Sequence, residues 1–419
     1  MNWRRGLYSL LWWAATPLIR RYLKKRARKA PAYLQHWDER FGAARTPRAT
    51  GAIWIHAVSV GETRAALPLI QALRQQWPDA PLLLTQMTPT GRDTARQLYP
   101  DAEVRYLPYD YPGAVRDFLA CWQPRFGVLM ETEIWPNLLH AAQRQGVPLF
   151  LANARLSEKS LRGYQRIQGL IVPALRSLTA IAAQSPQDAE RLQQLGAVDP
   201  QVCGNTKYDF TPPAAMAELA AQFRQRIGQR PVFICASTRD GEETLILQAW
   251  QQANVSNTLL LLVPRHPERF AAVAMQAENM GFAVQRRSDN AAIAADTSVW
   301  LGDSMGELFA YYGCAEVAFV GGSLLPLGGQ NLIEPASLGL PVLFGPSMFN
   351  FAEASELALE AGAALQVADA GQLVAQALSL LQDGARRQLM SMAAQAFTAA
   401  HRGASQRILA LLQRHLQPS

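Results

Sequence analysis

The chain is 419 residues long, 49% hydrophobic and 17% charged, too long for one ordinary core and too apolar for a disordered chain, so two folded domains are expected. Its formal charge of +7 sits at one end: residues 1 to 37 hold nine basic residues and no acidic one, leaving 31 Lys and Arg against 33 Asp and Glu elsewhere. That nearly neutral body argues against a general nucleic-acid-binding surface, and the four cysteines, Cys121, Cys203, Cys235 and Cys314, stand singly with no C-x-x-C pair, as in a reducing cytoplasm.

The first element lies between Arg5 and Arg20, where the uncharged run GLYSLLWWAATPLI is followed at once by RRYLKKRARK. A spanning helix needs roughly 20 apolar residues, and Pro17 is expected to disturb the end of this shorter run. The turn to cationic residues, where a signal peptide would place small ones, argues against cleavage. Trp3, Trp12 and Trp13 suit a headgroup boundary and the basic residues from Arg20 to Lys29 suit anionic lipid. Residues 1–30 therefore read as a short monotopic or barely spanning anchor, with its basic end at the cytoplasmic face of a membrane. The alternative is a hydrophobic helix packed on the protein's own surface.

From Gly51 onward, short apolar runs alternate with longer amphipathic stretches, the pattern of βα units and parallel sheets. The first set of strands is expected at Ala52 to Val58, Pro81 to Met87, Phe126 to Met130, Val147 to Ala152 and Thr179 to Ala183, with helices such as Thr63 to Gln76 and Pro186 to Leu195. The second set falls at Pro231 to Ser237, Thr258 to Val263, Ser298 to Gly302, Val317 to Gly322 and Pro341 to Gly345. Between the sets FTPPAA, Phe210 to Ala215, is a proline-bearing linker. The expectation is a domain over 31–210, a second over 211–419 whose last helix packs back on the first, and a ligand cleft between them.

The missing motifs narrow the chemistry. None of the five lysines follows a glycine, so there is no Walker A loop, and no G-x-G-x-x-G follows the first strand of either set. No H-E-x-x-H, paired Cys/His or D-x-D arrangement offers a metal site, and no cofactor is expected.

Candidate chemistry collects where strands end. In HAVSVGE, Glu62 stands where a strand hands over to a helix, either as a carboxylate able to take a proton from an attacking hydroxyl or as a first-turn acid stabilised by the helix dipole. In METEIWPN, Glu131 and Glu133 precede a helix opened by Pro136, and either meet a ligand or cap that helix. The run from Ala315 to Pro346 carries Gly321, Gly322, Gly328 and Gly329, then a helix expected from Asn331. These glycines are expected to turn backbone N–H groups toward a phosphate, with Glu334 on a ribose diol; packing alone is the other use of such glycines. Arg265 and His266 of PRHPERF could meet a phosphate or sugar carboxylate, and Met305, Gly306 and Glu307 could read a base edge through their amides.

The sequence resembles the 3-deoxy-D-manno-octulosonic acid (Kdo) transferases, glycosyltransferases of the GT-B fold with two facing Rossmann-like domains. The likeness runs nearly end to end, through RKAPAY, HAVSVGE, MTPTG, LPYD, METEIWPN, LANARLS, LVPRHPERF, GDSMGEL, FVGGSLLPLGGQN and LIEPASLGLPVLFGP. It implies CMP-Kdo as donor, a lipid A precursor as acceptor, inversion at the anomeric carbon and no metal. Carried over by motif, Glu62 is the general base, and Pro264 with Arg265, Met305 to Glu307, and Asn331, Leu332, Ile333 and Glu334 bind CMP. Glu131, Glu133 and Lys207 of GNTKYD are candidates for the acceptor or sugar site. Two rivals stay in view: a GT-B transferase using another nucleotide sugar, and a membrane-tethered nucleotide-binding module without turnover.

Overall fold

A computed structural model describes residues 3–28, 30–42 and 50–416. Lys29 of the basic segment lies outside them. The chain forms two compact units, one comprising Met1–Asp209 with Arg402–Ser419 and the other Phe210–His401.

The first unit is built on seven parallel strands: β1 Ile53–His56, β2 Leu82–Gln86, β3 Glu103–Tyr106, β4 Phe126–Met130, β5 Leu149–Ala154, β6 Ala180–Ala183 and β7 Gln201–Val202. Their order is β3-β2-β1-β4-β5-β6-β7. The connection direction reverses beside β1, so β1 and β4 flank the switch point of a doubly wound sheet, where the carboxyl ends of the strands leave a crevice. Because helices cover both faces, β1, β2, β4 and β5 are buried along their whole length. Trp54, Leu83 and Leu129 face one core while Ile53, Ile55, Leu84 and Val128 face the other, the two-residue alternation of a strand. The second core is completed by Ile408, Leu409, Leu411 and Leu412 of the closing helix Ala404–Leu416. Asp209 caps that helix's start, its carboxylate accepting from the amides of Gly403, Ala404 and Ser405.

The second unit repeats the plan with β8 Val232–Thr238, β9 Leu259–Pro264, β10 Val284–Arg286, β11 Val299–Leu301, β12 Val317–Val320, β13 Val342–Phe344 and β14 Ala364–Gln366. The parallel order is β10-β11-β9-β8-β12-β13-β14. Here the switch point falls between β8 and β12. Phe233, Cys235, Leu260 and Phe319 line one core; Val232, Ile234, Leu261 and Ala318 line the other.

Two local expectations change. The single helix expected over Thr63 to Gln76 is two helices, Val60–Ala65 and Leu67–Gln76, because Pro68 lacks the N–H that would continue the first and instead opens the second. The helix at the N-terminus, Trp3–Ala27, runs straight through Pro17. Its inner side is tied to the first unit by Ser9 Oγ donating to Asn137, by Thr16 with the Tyr111 hydroxyl, and by Trp12 stacked on Tyr109 and Trp135. Trp12, expected at a headgroup boundary, is thus spent on packing, whereas Trp3, Leu7, Leu10, Leu11, Trp13 and Leu18 are exposed. Among the described residues no helix is long and apolar enough to cross a membrane.

Candidate active site

At the first switch point the loop after β1 delivers Glu62. Ser59 is the N-cap of the helix Val60–Ala65; its hydroxyl accepts from the Glu62 amide at 3.4 Å and donates to Glu62 Oε1 at 2.9 Å. The Val58 amide donates to Glu62 Oε2 at 2.8 Å. This reciprocal S-x-x-E cap fixes the carboxylate at the sheet edge, so Glu62 is a first-turn acid bonded into the start of its own helix. Burial raises its pKa from 4.5 to about 7, against the Val58 hydrogen bond and with help from the negative charge of Glu131. A carboxylate with that proton affinity takes up and releases protons near neutrality.

The loop after β4 brings Glu131 and Glu133 to the same place, near enough for both charges to act on Glu62. Glu131 holds a left-handed backbone, φ 60°, and lies 3.9 Å from the Lys207 ammonium. Glu133 accepts from the Trp135 indole at 2.5 Å and sits 3.7 Å from His56 Nε2. Its burial works toward a higher pKa, but the contacts with His56 and Trp135 outweigh it and hold the carboxyl below its ordinary value. His56, the last residue of β1, is fixed in turn by Thr85 through Nδ1. Neither Glu131 nor Glu133 caps the following helix; Asp110 does, accepting from the Asn137 and Leu138 amides.

In the second unit Pro264 ends β9 and the Arg265 amide donates to Thr238 O, tying the β8 and β9 loops together. His266 is held below its ordinary pKa by burial first and then by the positive charge of Arg239, with Arg265 and Arg269 adding to it. Gly306 has φ 83° and Met305 is exposed. The Glu307 carboxylate is committed to Arg287 through two bonds of 3.0 Å and to Ser304 Oγ, and its carbonyl accepts from the Ala310 and Tyr311 amides. Asn331 Oδ1 accepts from the Ile333 amide and its Nδ2 donates to Glu334 Oε1 at 3.1 Å. Leu332 and Ile333 are buried. The helix expected from Asn331 begins at Ile333.

The glycine run requires a correction. Gly322, Ser323 and Leu324 all give their amides to the buried carboxylate of Glu242, at 2.6, 3.0 and 3.0 Å. The Gly321 amide bonds to Ala236 O, Gly329 to Gly322 O, and Gly328 to Ser347 Oγ. These N–H groups are spent inside the fold. Gly321 is needed for close packing: a Cβ there would stand 2.5 Å from Ser237 O.

Sequence reasoning missed Ser59, His56, Arg239 and Glu242. The S-x-x-E spacing of Ser59 to Glu62 signals a cap, and Glu242 follows β8 as Glu62 follows β1. Its partnership with the glycine loop has no sequence signal, since the two are 80 residues apart.

Two doubly wound parallel units, with polar and ionisable groups gathered at the switch point of each, define the GT-B fold class. A glycosyltransferase from Rickettsia africae has the same fold, at a TM-score of 0.57 with 11% identity over 88% of this chain and 100% of that one. So does a UDP-GlcNAc 2-epimerase from Neisseria meningitidis, at a TM-score of 0.59 with 15% identity over 87% of this chain and 100% of that one. The 3-deoxy-D-manno-octulosonic-acid transferase (kdotransferase) profile matches residues 35–210. The chain is 44% identical to the 3-deoxy-D-manno-octulosonic acid transferase of Bordetella pertussis, over 98% of this chain and 99% of that protein. It is 37% identical to the transferase of the same name from Haemophilus influenzae, over 99% of each. The chain belongs to the 3-deoxy-D-manno-octulosonic acid transferase family.

Proposed function

We propose that this Kdo transferase moves Kdo from CMP-Kdo to the lipid A precursor lipid IVA, with inversion, at the cytoplasmic face of the inner membrane. The observation that carries the reading is Glu62: a carboxylate of pKa about 7, fixed at a switch point in a chain of this family. As general base it takes the proton of the acceptor hydroxyl while that oxygen attacks the anomeric carbon. The bond from that carbon to the CMP phosphate breaks, and CMP departs with the electron pair from the opposite face.

Pro264, Arg265, Met305, Gly306, Glu307, Asn331, Leu332, Ile333 and Glu334 form the CMP site, with Glu334 accepting from the ribose diol and the Asn331 amide holding that carboxylate in place. Arg265 or Lys207 answers the carboxylate of Kdo, and Glu131 and Glu133 belong to the acceptor or sugar site. A phosphate monoester is a fair leaving group, so cationic side chains and dipoles can stabilise its developing charge without a metal ion. The exposed apolar side of Trp3–Ala27 and the basic residues at its end suit an acceptor that lies in a membrane.

The test is mass analysis of the product formed from CMP-Kdo and lipid IVA with excess chelator present, paired with anomeric assignment by NMR. A Kdo-bearing lipid of inverted configuration is expected. Transfer only from another nucleotide sugar, retention of configuration, or a strict need for a divalent ion would overturn the corresponding part.

A further inference from the structure

We infer that Arg239 is an anion-binding residue of the donor site, holding an oxyanion of the CMP-sugar, either the phosphate or the carboxylate of its sugar. The inference rests on the donor reading above and adds to it a residue from the β8 loop.

Arg239 follows β8 at the second unit's switch point, the place where open α/β sheets bind ligands. The register fixes its neighbours. Thr238 pairs with Pro264 across β8 and β9, and the Arg265 amide donates to Thr238 O at 3.0 Å, so Arg239 and Arg265 each stand one residue past a matched pair. On the other side the Arg239 side chain crosses Gly322, where a Cβ would lie 3.5 Å from its Cγ. It therefore lies between the β9 and β12 loops. His266 feels the positive charge of Arg239 directly.

The loop is built to hold this position. Ser237 takes a left-handed φ of 56° beside an irregularity in the β8–β9 pairing. Thr238 Oγ1 donates to the buried Glu243 at 2.8 Å, and the Arg239 amide donates to the buried Glu242 at 2.8 Å. Glu242 also gathers the Gly322, Ser323 and Leu324 amides, which joins the Arg239 loop to the glycine loop. Two buried carboxylates and one strained residue thus fix the backbone that carries Arg239, an arrangement that costs stability and clusters at functional sites.

That cation is unmatched. Its neighbour Arg269 meets Asp240 and Glu243, each at 3.1 Å. No hydrogen bond or ion pair among the described residues holds the Arg239 guanidinium, although the side chain is only partly exposed. Since Glu242 takes the glycine-loop amides, the anionic groups of the donor must be met largely by side chains, and a guanidinium at this point supplies a fixed fork of donors.

The experiment titrates cytidine and CMP into full-length parent, R239A, R239K and R239Q enzymes, and measures the KM for CMP-Kdo in each. A phosphate contact predicts that R239A weakens CMP by about 10- to 100-fold and leaves cytidine unchanged, as for loss of a charge-assisted bond. A carboxylate contact predicts unchanged CMP and a KM for CMP-Kdo raised by a similar factor. R239K should recover part of either loss, and R239Q, which keeps the chain's bulk, should not. Melting temperatures identify any variant that fails to fold, and R239K and R239Q then carry the comparison. CMP affinity and CMP-Kdo KM both within twofold of the parent would overturn the assignment. A parent enzyme that binds cytidine, CMP and CMP-Kdo equally poorly would instead overturn the donor reading beneath it.

Discussion

Ser59 and Glu62 hold each other: the serine hydroxyl donates to Glu62 Oε1 at 2.9 Å and accepts from the glutamate's own amide at 3.4 Å. The carboxylate is thus positioned by the helix it helps to start. Its hydrogen bonds favour the charged form while burial favours the neutral one, and burial wins by enough to bring the pKa to about 7.

Ser59→Ala should remove a bond that favours the ionised carboxylate and so raise the pKa of Glu62 further, by about 1–2 pH units for a charge-assisted hydrogen bond. A base works only when deprotonated, so the rate at pH 6 should fall while the rate at pH 9 stays near that of the parent. The pH profile of kcat/KM checks this. An unshifted acid limb would mean that Glu62 is not the group titrating in the reaction.

Glu62→Gln separates stability from turnover. The folded pKa of about 7 lies above the ordinary carboxyl value of 4.5, so through that window the folded state keeps a proton that the unfolded chain has released. Stability is therefore lost as pH rises from about 4.5 to about 7. At pH 8 the neutral glutamine should make the protein more stable by about 1–3 kcal/mol, with little difference at pH 5. Turnover should fall by roughly 10²–10⁴, the range for loss of a general base. Urea melts at the two pH values and initial rates make the measurement; a variant that is equally stable at both and fully active refutes both halves.

What the sequence revealed follows the same physics. All ten strands expected from apolar runs are present, and the four that were not foreseen, β3, β7, β10 and β14, are the four sheet edges. An interior parallel strand is buried on both faces and reads as a continuous apolar run; EVRY of β3 and VQR of β10 are half-buried and carry charges. Glu62 was legible because strand end, glycine and helix start adjoin in the chain. The glycines from Gly321 to Gly329 were legible as a special backbone, but their partner was not. That partner, Glu242, meets them only because β8 and β12 pair.

Glu242→Gln tests that partnership. The carboxylate accepts from Arg239, Gly322, Ser323 and Leu324, and a glutamine would turn an NH2 toward amides that can only donate. The expected cost is about 2–4 kcal/mol, as for leaving buried donors unpaired. CMP binding should weaken together with stability, because the same bonds position Arg239. Hydrogen exchange at Gly322 to Leu324 gives the direct readout, and protection equal to the parent's would show that the loop does not depend on Glu242.

The N-terminal helix calls for a finer cut than deletion. Removing residues 1 to 30 would strip Trp12 from Tyr109 and Trp135, Ser9 from Asn137 and Thr16 from Tyr111. Activity lost in that way would say nothing about membranes. The exposed side offers a cleaner test: Leu7, Leu10, Leu11, Trp13 and Leu18 are between 49% and 69% exposed. A groove on the same helix is lined by Trp13, Thr16, Pro17, Arg20, Arg21 and Lys24. If this side holds the enzyme at an anionic bilayer, replacing Leu7, Leu10, Leu11 and Leu18 with Gln should leave the packed side intact. The melting temperature should stay close to the parent's, and turnover on detergent-dispersed acceptor should remain within a few-fold. Binding to vesicles rich in anionic lipid should fall sharply, as should transfer on them, and added salt should weaken what the basic residues still contribute. Co-sedimentation with vesicles and paired assays in detergent and on vesicles provide the measurement. Undiminished vesicle binding would assign the exposed leucines no part in membrane attachment, and equal loss of transfer in both formats by a folded variant would place them in acceptor recognition instead.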